Sequence, residues 1–228
     1  MKNDLSFGKT AGLLAMLSGP LALVSITLIF VAFNWDFETA FNPQRAIAFQ
    51  PDPSATLRWG WILDIFGYYL PVVPAILALH ARFSSGAPLH SQLFTLCGLG
   101  YVITGATGAA MLAGATVPLY QAFAAGADAD KAIATQVFAN LNNEVLSGIW
   151  NLLTMSLAAV WFFGTGRLLR PTHRGLSRLT TVLGLASLVD VLGYAFQSQA
   201  LAGLGLNFYL FIAPLWAIWV GWILWKER

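Results

Sequence analysis

Apolar residues gather in six blocks, at roughly 11–33, 59–82, 92–114, 143–166, 177–198 and 204–225. A helix needs about 20 residues to cross the hydrocarbon core of a bilayer, and each block is long enough. The pattern predicts an all-α fold: a polytopic membrane protein of six transmembrane helices, one membrane domain over 1–228. The first block is long, and no small-x-small cleavage site closes it before Asn34-Trp35, so it reads as a retained span. Two connections are long. Residues 34–58 carry Pro43, Pro51 and Pro53 and predict an ordered loop or short surface helix. Residues 115–142 hold an Ala-rich stretch, Gln121 to Asn140. Its helical spacing of Phe123, Ile133, Val137 and Phe138 predicts a helix lying flat on the outer surface.

Composition strengthens the membrane reading. The chain is 57% hydrophobic and 10% charged, with a mean hydropathy of +0.68. Soluble domains carry about 25% charged residues, so this chain lacks the polar surface to face water. A net charge of +2 spread along loops calls for no nucleic-acid partner. The basic residues sort by side instead. Lys2, Lys9, Arg82, Arg167, Arg170, Arg174, Arg178, Lys226 and Arg228 share one face if both termini do, leaving Arg45, Arg58 and Lys131 on the other. The positive-inside tendency then makes both termini cytoplasmic. Trp35, Trp59, Trp61, Trp222 and Trp225 sit near span ends, as interfacial anchors do.

A repeat runs through the chain. Asp64-Ile65-Phe66-Gly67-Tyr68 returns as Asp190-Val191-Leu192-Gly193-Tyr194, and Leu17-Ser18-Gly19 returns as Leu146-Ser147-Gly148. Three spans per half is an odd number, so duplication predicts a 3+3 inverted repeat, as in many transporters. The half-repeats are 11–114 and 143–225, joined by the outer-surface connection 115–142.

An ionisable residue inside a span is costly and marks a candidate functional site. Asp64 falls roughly 7–8 Å below the outer end of the second span, and Asp190 roughly 12 Å below the outer end of the fifth. Glu144 opens the fourth span on the same side. Tyr68 shares a helical face with Asp64, and Tyr194 and Gln197 share one with Asp190. Asn143 and Trp61 lie nearby in sequence, completing a candidate ligand-binding set. Two carboxyls in one dry site resist double ionisation, which suits a general acid, a proton relay or a cation site. Against this, Asp64 has Arg58 within reach as a structural partner, and Asp190 has Tyr194.

Other chemistry is faint. Cys97 is the sole cysteine, so an intrachain disulfide is excluded. His80, His90 and His173 fall on the cytoplasmic side without a shared face, and no metal or cofactor is expected. No lysine lies within a span. Thr104, Gly105, Gly108 and Ala109 form a small-residue surface on the third span suited to a tight contact with another helix or subunit, hence a homo- or hetero-oligomer.

Gly164, the run Arg167-Leu168-Leu169-Arg170-Pro171, the basic turn from Arg174 to Arg178 and the Asp190 helix together resemble a family of bacterial six-helix membrane proteins of unassigned function. Arg58 through Leu79, with Tyr69-Leu70-Pro71, is similar to that family's second helix. The resemblance implies a bacterial cytoplasmic-membrane location and six helices, and no activity.

Three functions are compatible with these features. The first is binding or transport of a small lipophilic or cationic solute at an acidic site in the outer half. The second is a membrane-embedded acid/base enzyme, of isomerase or cyclase type, on a lipophilic substrate. The third is an accessory subunit of a larger membrane complex. Membrane lipid is a partner in each.

Overall fold

The computed structural model describes residues 2–226, with side chains from Ser6 onward. Two members of the charge reading above, Arg228 and the Lys2 side chain, lie outside the described residues. Helix α1 covers Lys2–Ala32. Two short helices follow, α2 (Phe37–Ala40) and α3 (Pro43–Ile47). The second span is composite. It joins α4 (Ser54–Asp64), a π-helical segment (Ile65–Tyr69), a 3-10 turn (Leu70–Val72) and α5 (Val73–Phe83). Helix α6 (Pro88–Ala125) is the third span. The fourth joins α7 (Asp128–Asn143), a long π-helical segment (Glu144–Thr154) and α8 (Met155–Leu169). Helices α9 (Arg174–Ala195) and α10 (Gln199–Lys226) are the fifth and sixth. There is no strand among the described residues. Six helical stretches are long and apolar enough to cross a membrane.

Each span packs against its neighbours in sequence, and α10 closes back onto α1, so the six spans form a ring in chain order. Small residues set the closest crossings. A Cβ on Gly12 would meet the Gly221 carbonyl at 2.5 Å, and one on Gly193 would meet the Ala202 nitrogen at 2.1 Å. Neither position accepts a larger residue without separating two helices.

The aromatic core fills the ring near mid-height. Trp161 packs against Phe162 at 4.4 Å and against Trp216 at 5.4 Å between ring centroids. Trp216 Nε1 donates to Thr180 Oγ1 at 2.8 Å, giving this buried indole its partner.

The third and fourth spans are 38 and 42 residues long, or roughly 57 and 63 Å at helical rise. Both exceed a hydrocarbon core of about 30 Å. Their excess stands off the bundle as a hairpin turned at Gly126–Ala127, where the Asp130 carboxylate accepts from the Ala127 N–H at 3.3 Å. The Gln121–Asn140 stretch therefore does not lie flat. Phe138 and Ala134 have an intramolecular partner, because Tyr120, Ile47, Leu57 and Phe33 form a second core with them. Tyr120 also donates to the Ala46 carbonyl at 2.7 Å. Helix α3 leans on this hairpin and α2 packs on α3 and α1, so that the two form a cap over one end of the ring. Their N-caps are Asp36 and Asn42.

The third span's small residues are used inside the chain. Gly105 faces Tyr69, Gly108 faces Trp150, and Gly98 faces Trp161, each closer than an added Cβ would allow. Thr154 donates to Thr104 at 2.8 Å. Of the two contacts this small-residue surface suits, another helix or another subunit, Gly105 and Gly108 make the first, with large aromatics on the neighbouring spans.

Candidate functional site

Asp64 is the last residue of α4. Past it the helix widens, for a reason written in the sequence. Pro71 and Pro74 have no N–H to give the carbonyls of Gly67 and Leu70 four residues earlier. Regular α geometry fails over 65–72, and the irregular backbone presents Tyr68 and Tyr69 inward. Tyr101 Oη donates to the Tyr68 carbonyl at 2.8 Å. Its one hydrogen is then committed, so in the close contact with Tyr209 the Tyr209 hydroxyl is the donor.

Tyr68 Oη donates in turn to the Leu210 carbonyl at 2.9 Å. That acceptor is free because Pro214, four residues on, lacks the N–H that would have taken it. A proline in one span thus creates the acceptor that positions a tyrosine from another.

The facing π-helical segment, Glu144–Thr154, contains no proline. It is held from outside: Trp150 Nε1 donates to the Gly105 carbonyl at 3.0 Å, across the notch at Gly108. π-helical turns are rare and gather at functional sites. Here two of them flank one chamber.

The chamber occupies the cap half of the ring and has a volume of about 130 Å³. Trp61 and Trp150 form one wall, 5.8 Å apart between centroids. Tyr68, Tyr69 and Tyr209 form the floor over the aromatic core, and Ala40 and Phe41 of the cap form the roof. Beside it runs a groove of about 740 Å³, bounded by α1, α10, the start of the long π segment and the turn after α9. Chamber and groove share Ile26, Phe30, Phe41, Leu146, Leu206 and Leu210, so they are contiguous. Among the described residues no Lys, Arg or His lines either one.

The Asp64 carboxyl lines the chamber, is 8% exposed, and its Oδ2 has no hydrogen-bond partner. Ser25 lies beside it, but the Ser25 hydroxyl donates its hydrogen to the Gly60 carbonyl at 3.0 Å. Arg58 points into a different groove, so Asp64 is not its partner.

The sequence-predicted residues divide into groups. Asp64, Trp61 and Tyr68 meet in the chamber. Tyr194, Gln197 and Asn143 line the adjoining groove. Tyr194 reaches the side chains of Ser147 and Asn151, and Asn151 lines the chamber, so the two spaces are linked by polar groups. Asp190 lines neither. It is fully buried at the α9–α10 contact, where its backbone lies opposite Gly205, and both carboxyl oxygens are unpartnered among the described residues. Glu144 is exposed and also lines neither. Trp61, read above as a possible anchor in the interface, faces inward. The matched triplets differ in backbone: Leu17-Ser18-Gly19 lies in regular helix, Leu146-Ser147-Gly148 in the π segment.

Tyr69, Trp150, Asn151, Tyr209 and Phe41 are site residues that the sequence reading missed. Pro71, two residues after Tyr69, was the available signal for one of them. Among the described residues no three His, Cys, Asp or Glu side chains gather at metal-ligand spacing. No protein-family model, curated protein or solved structure matches this chain.

Proposed function

We propose that this protein binds a small lipophilic cation, held by Asp64 inside the aromatic chamber and admitted through the adjoining groove, as the binding step of a transporter. The observation that carries this reading is the Asp64 carboxyl. It is buried and, among the described residues, lacks a partner on one oxygen and faces a chamber lined by tryptophan and tyrosine with no basic side chain. A buried carboxylate needs a counter-charge or donor, and indole and phenol faces attract a cation by roughly 0.5–2 kcal/mol each. The groove is lined by Phe37, Phe41 and Phe211, which suits an apolar body.

A bacterial cytoplasmic membrane with both termini inside fits the charge distribution. Lys9, Arg82, Arg167, Arg170, Arg174, Arg178 and Lys226 lie toward the end bearing the termini, against Arg45, Arg58 and Lys131 toward the cap.

Benzyltrimethylammonium and its neutral isostere neopentylbenzene separate charge from shape. Calorimetry on the purified protein in nanodiscs is expected to favour the cation. Asp64→Asn should remove at least about tenfold of that preference, or about 1.4 kcal/mol, while the neutral compound binds equally to both. Equal cation binding by wild type and variant would sink the proposal.

A membrane-embedded acid/base enzyme is the second reading. It is favoured by access from one side only: the chamber ends blindly on Tyr209 and the aromatic core. A mass-neutral conversion in a lipid extract incubated with wild type, and absent with Asp64→Asn, would select it.

A further inference from the structure

A third space lies on another wall of the bundle. It is a groove of about 430 Å³ between α4 and α6, near the cap end. Arg58, Ile62 and Ile65 form one side, and Ala113, Gly114 and Pro118 part of the other. Antiparallel packing puts Arg58 at its upper mouth and Ile65 about 10 Å lower, at seven residues of helical rise. A Cβ on Gly114 would touch nothing within 4 Å, so the floor is an open notch.

Arg58 is exposed and makes no ion pair or hydrogen bond among the described residues. This sets it apart from Arg45, paired with Glu38. Beside it Trp59 is 58% exposed, at the level where tryptophan marks the membrane interface. The groove below is apolar and faces outward from the ring. A guanidinium at the headgroup level, with no acidic side chain paired to it among the described residues and above a narrow apolar slot, matches one molecule of the surroundings in both charge and shape.

We propose that this groove is a binding site for an anionic phospholipid. Its phosphate accepts from the Arg58 guanidinium, and one acyl chain lies between Ile62 and Ile65 on one side and Ala113 and Gly114 on the other. Arginine suits the role because its fork of donors matches phosphate oxygens. The occupant is a lipid and not free phosphate, because the space extends below the charge and is lined by carbon. The site is independent of the Asp64 chamber, which shares none of its lining residues.

Native mass spectrometry of the purified protein, titrated with phosphatidylglycerol or phosphatidylcholine of equal chain length, tests this. Wild type is expected to retain phosphatidylglycerol preferentially. Arg58→Gln should weaken that retention by about tenfold. Gly114→Leu fills the slot and should weaken both lipids, while Lys131→Gln changes neither. Both groove positions are open to the surroundings, so the variants retain the fold; a melting curve within 2–3 °C of wild type checks this. Unchanged retention by Arg58→Gln overturns the proposal. So does equal competition by glycerol phosphate, or the appearance of a dimer that Gly114→Leu abolishes, which would make the groove a contact between copies.

Discussion

Pro214 and Tyr68 act on each other from different spans. Pro214 withholds an N–H from Leu210, and Tyr68 supplies the missing donor at 2.9 Å. Tyr68→Phe leaves a buried carbonyl without its partner and should cost about 1–3 kcal/mol. Pro214→Ala restores the local donor, so the same Tyr68→Phe change in that background should cost much less. A double-mutant cycle by thermal unfolding in detergent is expected to give a coupling energy of about 0.5–2 kcal/mol; strict additivity would mean that the two residues are unrelated. The prolines were visible in the sequence, and so was the rule that a proline orphans a carbonyl. Which tyrosine answers it was not, because the pairing spans 142 positions of chain. The acids show the same division. Their burial follows from hydropathy, but only packing separates Asp64, which lines the chamber, from Asp190, which is shut in where its backbone crosses Gly205.

Among the elements, the cap is the most informative. Asn34 and Trp35 adopt left-handed backbone at φ 52° and 63°, reversing the chain sharply after α1. Asp36 then caps α2, accepting from the Thr39 hydroxyl at 2.7 Å and the Thr39 N–H at 3.1 Å. These bonds, the hydroxyl first, hold the Asp36 carboxyl below the usual carboxylate range. A group whose folded pKa is depressed stabilises above its unfolded pKa and loses that contribution as pH falls through the folded value. The cap should therefore hold its order at neutral pH and loosen only in acid. Carboxyl NMR is expected to place the Asp36 midpoint below that of an unstructured aspartate, and Thr39→Val should move it upward. The six spans themselves were legible, since length and hydropathy decide them. The hairpin was not, because the helical spacing of Phe123, Ile133, Val137 and Phe138 fits an interfacial helix as well as one packed on its neighbour. Nor was the long π segment, which is braced by the Trp150–Gly105 bond from another span and by Thr154 donating to the Ile149 carbonyl five residues back.

At the scale of the whole molecule, the ring has one wide end under the cap and a filled middle. Its charge asymmetry gives the sidedness a direct test. In a Cys97→Ala background, a membrane-impermeant maleimide added to intact cells should label Lys131→Cys and spare Arg178→Cys until the membrane is opened. The reverse pattern would invert the topology.

The α1–α10 crossing at Gly12 and Gly221 sets the first and sixth spans side by side, with Gly8 facing the Leu224 carbonyl. The order in which the spans are joined is then a matter of where the circle is cut. A circular permutant can join the present ends by a short flexible linker and open at the Ser84–Ala87 turn, which lies on the same side. Every helix keeps its direction, and the packing between neighbouring spans is kept. Such a permutant is expected to purify as a monodisperse species with a melting temperature close to that of the parent chain. A collapsed yield would mean that this ring must be inserted from its present first helix.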